Sequence, residues 1–246
     1  MLEWAVLALA GLWAGAQNAL AGGGSFITLP ALIFAGMDAR AANITSTIAL
    51  FPGQVTTGLA GRANVSGAGG LSLRWLVLVS FAGGAVGAVL LMVTPSAYFA
   101  RLVPWLVLFA TTLFAWGSFG PKSGSAGRLG PSGAALAQFC IAIYGGYFGG
   151  GIGFLMLAAL TLAGLAVRQA GATKNALAAV MNASAVIIFL FSPDVRWDKA
   201  AVVGICAIAG GMLGAHLLKR VNERLLRVTV IAIGIALTIA MFMRAG

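Results

Sequence analysis

The chain has 246 residues, of which 61% are hydrophobic and 8% are charged. A soluble domain carries about 25% charged residues, so this composition excludes a cytosolic enzyme, a nucleic-acid-binding domain and a disordered chain. The net charge of +10 comes from Lys and Arg that stand singly or in pairs between apolar runs. This is the positive-inside pattern of a membrane protein, and the mean hydropathy of +1.01 agrees with it.

Ten apolar segments along the chain predict an all-α polytopic membrane protein with about 8–10 hydrophobic segments. They are 4–21, 25–36, 42–61, 73–94, 97–119, 133–148, 152–166, 172–192, 198–217 and 225–243. A membrane-spanning helix needs about 20 residues, and six or seven of these segments reach that length. Segments 25–36 and 152–166 are too short to span comfortably, and the sequence leaves open whether they cross or re-enter. The acidic Met-Leu-Glu start indicates no cleavable signal peptide.

An internal repeat divides the chain. The triple glycine at 22–24 recurs at 149–151, and a Gly/Ala-rich motif at 82–91 recurs at the same offset, at 209–218. Self-similarity at one fixed offset is typical of duplication. We therefore predict a first transmembrane repeat at 1–119, a flexible cytoplasmic linker at 120–132 and a second transmembrane repeat at 133–246.

The positions of Lys and Arg predict how the two repeats are oriented. Each repeat contains either a Gly-broken helix or a helical hairpin. If each short segment pairs with its neighbour as a hairpin, or if all ten segments cross, each half crosses the membrane an odd number of times; ten of the fifteen basic residues then share one side, and four of the five acidic residues join the other. If each short segment instead joins its predecessor into one broken span, the basic residues divide 8 to 7. Basic loops favour the cytoplasm, so the 10-to-5 split predicts inverted-topology repeats. The N-terminus, the 193–199 loop and the C-terminus are then outside, and the 120–132 linker and the 218–227 loop are in the cytoplasm.

The triple glycines are the candidate binding elements. A helix broken at membrane depth must face protein or a water-filled cavity, because unpaired backbone groups are not tolerated in hydrocarbon. Glycine leaves its N–H groups open to a ligand, and the helix that follows presents its positive end, which suits an anion. Two such breaks in an inverted repeat are typical of secondary transporters. The alternative is that the glycines only permit close helix packing.

Polar residues within the apolar segments cluster near the breaks and complete the candidate site. The predicted substrate-binding residues are Gly22, Gly23, Gly24, Ser25, Asn43, Thr45, Ser46, Gly149, Gly150, Gly151, Lys174, Asn175 and Asn182. For each hydroxyl or amide the alternative is a hydrogen bond to a backbone carbonyl. Lys174 is either a cation offered to an anionic substrate or a charge anchored at the cytoplasmic interface.

Two groups of motifs resemble those of the sulfite exporter TauE/SafE family, formerly a domain of unknown function. The first is Gly-Gly-Gly-Ser-Phe-Ile-Thr-Leu-Pro at 22–30 followed by Ala-Asn-Ile-Thr-Ser-Thr at 42–47, and the second is Tyr-Phe-Gly-Gly-Gly-Ile-Gly-Phe at 147–154 followed by Thr-Lys-Asn at 173–175. The resemblance covers essentially the whole chain. It implies a polytopic inner-membrane permease for small sulfur-containing anions such as sulfite or sulfonates.

Two other functions are weighed against an anion exporter. An intramembrane enzyme needs acid, base or metal ligands in one place, which the single His216 and the separated Cys140 and Cys206 do not provide. A transition-metal or other small-solute carrier is the alternative, but the eight methionines are scattered without a repeated face. We expect a transporter with no catalytic residue, metal site or cofactor. Its partners are a small anionic substrate and the lipid bilayer, with no nucleic acid.

Small residues four apart, at Gly83 and Gly87 and at Gly210 and Gly214, let helix backbones approach closely. We expect these faces to pack helices together, and they also permit a homodimer.

Overall fold

The computed structural model describes residues 1–20, 23–119, 129–217 and 223–245. Within these ranges the chain is almost entirely helical, which confirms the all-α prediction. The helices are α1 Leu2–Leu20, α2 Ser25–Phe34, α3 Ala39–Ala60, α4 Leu73–Val93, α5 Ser96–Phe119, α6 Pro131–Tyr147, α7 Ile152–Leu162, α8 Val167–Phe189, α9 Trp197–Leu217 and α10 Glu223–Ala245. Gly22, most of the predicted linker and the 218–222 part of the predicted cytoplasmic loop lie outside the described residues.

Three of the described helices, α4, α5 and α8, are long and apolar enough to cross a membrane by length and composition. α3 is 22 residues long but carries Arg40, Asn43 and Gln54, and α6 has 17 residues. α2 and α7, with 10 and 11 residues, are the short apolar helices that follow the glycine breaks.

Each short helix folds back along the helix before it. Lys199 Nζ donates to Glu3 Oε1 near the start of α1 and to the Ala35 carbonyl oxygen at the end of α2. In the second half, the N–H of Leu129, just before α6, donates to the Leu162 carbonyl oxygen at the end of α7 at 3.1 Å. The α1–α2 and α6–α7 pairs are therefore helical hairpins, and neither short helix continues its predecessor across the molecule.

The turns that follow these hairpins, from α2 into α3 and from α7 into α8, have the same backbone hydrogen bonds. The N–H groups of Ala35, Gly36 and Met37 donate to the carbonyls of Ala31, Ile33 and Leu32, and those of Ala163, Gly164 and Leu165 donate to Ala159, Thr161 and Leu160. Gly36 and Gly164 have φ of 79° and 98°, which glycine adopts without a steric penalty. The sequence distance from Gly36 to Gly164 is called here the repeat offset. It is one residue longer than the distance between the two triple glycines.

The corresponding helices α3 and α8 pack in opposite directions. The start of α3 meets the loop after α8, where Arg40 Nη2 lies 2.8 Å from Asp194 Oδ2. The end of α3 meets the start of α8, where a Cβ at Gly61 would lie 3.5 Å from Ala172 Cβ. Between these points Asn182 Nδ2 donates to Gln54 Oε1, and these two positions are related by the repeat offset. The predicted inverted repeat requires this antiparallel arrangement.

The two halves are packed into each other rather than side by side. α1 lies along α9, and its counterpart α6 lies along α4, the counterpart of α9. These contacts bring backbones together: a Cβ at Gly15 would meet the Ala207 carbonyl, and a Cβ at Gly87 would meet the Ile143 carbonyl. The Gly83–Gly87 face and Gly210 therefore pack inside the chain, as expected for small-residue faces. They no longer support a homodimer, which stays an untested prediction.

The helix ends form two opposite ends of the molecule. The first end contains the starts of α1, α3, α5 and α9, together with Glu3, Asp38, Asp194 and Asp198. The second end contains the starts of α4, α6 and α8, where the Gly69 N–H donates to the Ala163 carbonyl oxygen at 2.9 Å. The Trp105 and Phe242 rings are 5.0 Å apart, and a Cβ at Gly234 would meet Thr111, so α10 runs antiparallel to α5 and its end points toward the first end. The described loops fall into the groups that the charge pattern predicts, while the sides of the membrane on which the two ends lie stay a prediction.

Candidate functional site

The two glycine breaks meet at one small cavity, called here the central cavity. It is lined by Ser25, Phe26, Leu29, Pro30, Asn43, Val107, Phe148, Gly150, Leu237 and Met241. The volume open to the centre of a water molecule is about 10 Å³, which is room for about one water. Most of the lining is apolar, and in this conformation the cavity has no room for a group much larger than a water.

The first break is held by two amides at the end of α1. The Gly24 N–H donates to Asn18 Oδ1 at 2.7 Å, and Gln17 Nε2 donates to the Gly23 carbonyl oxygen at 3.2 Å. Gly23 has φ of 87°, a conformation that residues with a Cβ rarely adopt. The N–H of Gly24, which the sequence predicted to be open to a ligand, is therefore taken by Asn18.

The second break leaves several backbone donors uncommitted. Gly149 and Gly151 have φ of 81° and 74°, so the chain reverses here through two left-handed residues. The N–H groups of Gly150, Gly151, Ile152 and Gly153 donate to no residue in the described part of the chain. They surround the start of α7, where the helix dipole is positive, and Gly150 lines the central cavity. Free N–H groups at a positive helix end favour an anion.

Asn43 links α3 to the second break. Its side chain is 2% exposed, and Nδ2 donates to the Tyr147 carbonyl oxygen at 3.1 Å, directly before the break. Ser25, the first residue of α2, lines the same cavity. The structure therefore brings together three predicted site residues, Ser25, Asn43 and Gly150, at the point where both breaks meet.

Other predicted site residues have partners away from this cavity. Ser46 Oγ shares a hydrogen bond of 2.6 Å with Thr28 Oγ1, Thr45 Oγ1 accepts one of 3.2 Å from the Arg196 N–H, and Asn182 donates one to Gln54. All three contacts join neighbouring helices or the two halves. They correspond to the structural alternative for polar groups within apolar segments.

Lys174 lies in the first third of α8, toward the second end, and does not line the central cavity. Among the described residues, no hydrogen bond or ion pair involves its ammonium group. Asn175 is half-buried beside it, and its carbonyl oxygen would lie 3.4 Å from a Cβ at Gly58 of α3. The structure thus does not place Lys174 and Asn175 beside Ser25, Asn43 and Gly150.

Sequence reasoning missed two kinds of site residue. Gln17 and Asn18 build the first break, and their signal was a pair of adjacent amides shortly before a glycine run. Phe148 and Val107 line the cavity, but an apolar lining residue has the same pattern as a residue of the core. The pattern alone therefore could not have identified these two.

Apolar helices and two helical hairpins, whose glycine breaks meet at a central cavity, define a polytopic membrane protein of the transporter type. The profile described as Sulfite exporter TauE/SafE matches residues 7–241. The chain therefore belongs to this family, which confirms the resemblance seen in its motifs.

Curated relatives match over nearly their whole length. A probable membrane transporter protein of Haemophilus influenzae is 29% identical in an alignment that covers 98% of this chain and 95% of the relative. The probable membrane transporter protein ORF9 of a Sinorhizobium species is 30% identical, over 96% of this chain and 90% of the relative. The probable membrane transporter protein YfcA of Escherichia coli K12 is 27% identical, over 93% of this chain and 85% of the relative. The chain is therefore a multi-pass membrane transporter, and the names of its family and relatives indicate a transporter rather than an enzyme.

Proposed function

We propose that the protein exports a small sulfur-containing anion, sulfite or an organosulfonate, across the inner membrane. The description of the family names the substrate class and the direction. One structural observation carries the proposal: both helix breaks meet at the central cavity, and the second break presents backbone N–H groups that have no partner among the described residues.

The lengths of the two short helices support a site near the membrane midplane. α2 has 10 residues and α7 has 11, so each is about 15 Å long at a rise of about 1.5 Å per residue. That is about half of a hydrocarbon core of about 30 Å. α2 runs from its break to the first end and α7 runs from its break to the second end. Their positive N-termini therefore approach each other, an arrangement that stabilises an anion between them.

The positions of the acidic residues support export rather than coupled uptake. Glu3, Asp38, Asp194, Asp198 and Glu223 all stand in loops or within the first turn of a helix. Coupled uptake commonly uses a carboxylate within the membrane to bind a proton or Na⁺. The membrane potential lowers the free energy of an anion that leaves an inside-negative cell by about 2.3 kcal/mol per charge per 100 mV. Export therefore proceeds without a coupling ion.

The size of the central cavity implies that this conformation is closed. A sulfur oxyanion has several heavy atoms and does not fit a space that holds about one water. Binding and release therefore require the hairpins to separate from α3, α5 or α10, which supply the rest of the lining. In the proposed cycle the cavity opens to one side of the membrane at a time, and the broken helices remain the site of the anion.

Binding and transport by the purified protein test this proposal. A ligand that binds only the folded state raises the apparent stability, by about 2.7 kcal/mol at one hundred times its Kd. We expect sulfite, thiosulfate or sulfoacetate to raise the Tm, whereas taurine, which is zwitterionic, has a smaller effect. In proteoliposomes the same anion should exchange without an ion gradient. Uptake of sulfite that strictly requires Na⁺ or a proton gradient would contradict the export proposal.

A further inference from the structure

We propose that the ion pair between Arg40 and Asp194 closes the central cavity toward the first end and must break when the cavity opens there. This gate rests on the proposed role of the central cavity as the transport site. Nothing in the family description or in the relatives' names assigns a function to either residue.

The ion pair joins the two halves of the molecule. Arg40 stands at the start of α3, and Asp194 stands in the loop between α8 and α9. Arg40 Nη2 lies 2.8 Å from Asp194 Oδ2, and both side chains are 22% exposed. Arg40 Nη1 also donates to the Thr94 carbonyl oxygen after α4 at 2.8 Å. One guanidinium therefore holds three parts of the first end together, and a movement that separates the halves at this end breaks its contacts.

The ion pair is connected to the central cavity through Tyr147 and Asn43. Arg40 and Asn43 are spaced i and i+3 on α3, so both lie on one face of that helix. Tyr147 connects to both: its hydroxyl donates at 3.4 Å to Oγ1 of Thr94, the residue whose carbonyl binds Arg40, and its own carbonyl accepts from Asn43 Nδ2 at 3.1 Å. The Tyr147 ring also packs edge-on against Phe99, with centroids 5.6 Å apart. These residues form the layer between the cavity and the first end.

The second end has no equivalent ion pair among the described residues, although the backbone repeats. At the repeat offset, the positions that correspond to Arg40 and Asp194 are Arg168 and Ser66. Ser66 replaces the carboxylate, and its N–H donates to Thr173 Oγ1. Arg168 is exposed and makes no ion pair with any described residue. Among the described residues, an opening at the second end therefore separates no charges of this kind, so in this part of the chain the ion pair distinguishes the two ends of an otherwise repeated structure.

Accessibility of a cysteine in the cavity tests the gate without any substrate. The parent protein carries Ser25→Cys with Cys140→Ser and Cys206→Ser, and a membrane-impermeant maleimide is applied from the side of the first end. We expect Arg40→Gln and Asp194→Asn each to raise the labelling rate about tenfold, within the range of coupling between two states of a protein. The exchanged pair Arg40→Asp with Asp194→Arg should return the rate to within about threefold of the parent.

Two control variants separate the gate from a general effect of charge. Asp198→Asn removes the acid of the Arg196–Asp198 pair, which spans 3.7 Å within one segment and joins no halves. Arg168→Gln removes the corresponding arginine at the second end. Neither should change the labelling rate. An unchanged rate in Asp194→Asn, or an equal rise in Asp198→Asn, would overturn the proposal.

Arg40→Lys covers the case in which the single variants fail to insert. It keeps the charge but loses the forked geometry, so we expect a smaller rise in the labelling rate, and a rate equal to that of the parent overturns the gate. Because no anion is present, a wrong substrate assignment leaves all of these results unchanged. The labelling experiment and the binding experiment can therefore fail independently.

Discussion

At the scale of single residues, Lys174 is the predicted substrate contact that the structure leaves most open. It follows Thr173, which accepts the Ser66 N–H at 3.1 Å, and its own ammonium makes no hydrogen bond or ion pair with the described residues. In this closed conformation it lies away from the central cavity. A role in binding therefore requires that the anion passes it on the way from the second end, or that α8 approaches the cavity when it opens.

The Lys174→Gln variant decides between the two roles of this lysine. If its ammonium contacts the anion, the loss of one charge-assisted hydrogen bond, about 1.5–3 kcal/mol, should raise the Kd at least about tenfold. Lys174→Arg should restore affinity only partly, because the guanidinium is larger and forked. Titration of the purified variants with the anion that stabilises the parent measures this. Arg168→Gln is the matched control from the start of the same helix.

If Lys174 only anchors the chain at the interface, both Lys174 variants should keep the Kd within about twofold, since long cationic side chains reach the interface in either form. An unchanged Kd for Lys174→Gln removes this residue from the site.

Which polar residues belong to the site could be predicted only in part. Ser25, Asn43 and Gly150 fit the pattern of polar groups and glycines near a break in an apolar run, and they line one cavity, while their binding of an anion stays a prediction. Asn182 and Thr45 fitted the same pattern, yet they hydrogen bond to Gln54 and to the Arg196 N–H. Those partners lie in the other half of the sequence, and no local pattern indicates which distant group a side chain meets.

At the scale of helices, a side chain at either glycine break should disturb the site, but for a different reason at each break. A Cβ at Gly150 would lie 2.6 Å from Phe148 Cε1, and the position lines the cavity. Gly150→Leu should therefore fill the site and reduce transport at least about tenfold, an effect typical of misplaced binding groups, while the protein still inserts. Gly23→Leu should do the same, because φ of 87° disfavours any side chain there. Flux in proteoliposomes and the amount of purified protein measure both effects.

Gly53 provides the matched control for these two substitutions. It lies within α3, and no atom would come within 4 Å of an added Cβ. Gly53→Ala should leave transport unchanged and stabilise the helix by up to about 1 kcal/mol. Wild-type flux in Gly150→Leu would show that the second break only serves packing.

The existence of the helices was predictable, whereas the direction of the short ones was not. The apolar runs end at charged residues, Gly and Pro, so the predicted segments and the helices agree to within a few residues at most ends. α8 is the exception, because it begins at Val167, well before the predicted segment 172–192. The hairpins depend on contacts such as Lys199 with Glu3 and Ala35, which join parts of the chain that no periodicity relates.

At the scale of the whole molecule, the two halves hold each other through reciprocal contacts. Thr45 accepts the N–H of Arg196 from the second half, and Thr173 accepts the N–H of Ser66 from the first half. Thr45 and Thr173 are related by the repeat offset, so equivalent hydroxyls each accept a backbone N–H from the other half at opposite ends, although the donors Arg196 and Ser66 are two positions away from that offset. Neither half has a core of its own: the main core contains Leu7 and Phe99 of the first half and Phe189 and Val203 of the second. The repeats are therefore units of sequence rather than separate domains.

The orientation of this assembly in the membrane is a prediction that two exposed positions can test. Pro193 lies at the first end, and Ser132 lies near the start of α6 at the second end, and both are exposed. Ser192 is a poor choice because it is only 7% exposed. We expect Pro193→Cys in a background without Cys140 and Cys206 to react with an impermeant maleimide on intact spheroplasts, and Ser132→Cys to react only in inverted vesicles. The reason is that the acidic residues gather at the first end, and membrane proteins keep their basic loops in the cytoplasm.

The four outcomes of this labelling have distinct meanings. The expected pattern supports a first end outside and a second end in the cytoplasm, and the reverse pattern shows that the charge pattern misassigned the sides. Reaction of both positions from the same side would contradict the antiparallel packing of α3 and α8, because the Arg40–Asp194 and Gly61–Ala172 contacts put these positions at opposite ends. Reaction of each position from both sides would indicate two populations of opposite orientation. The net charge of +10 argues against this, because ten of the fifteen basic residues fall in loops that the charge pattern assigns to one side.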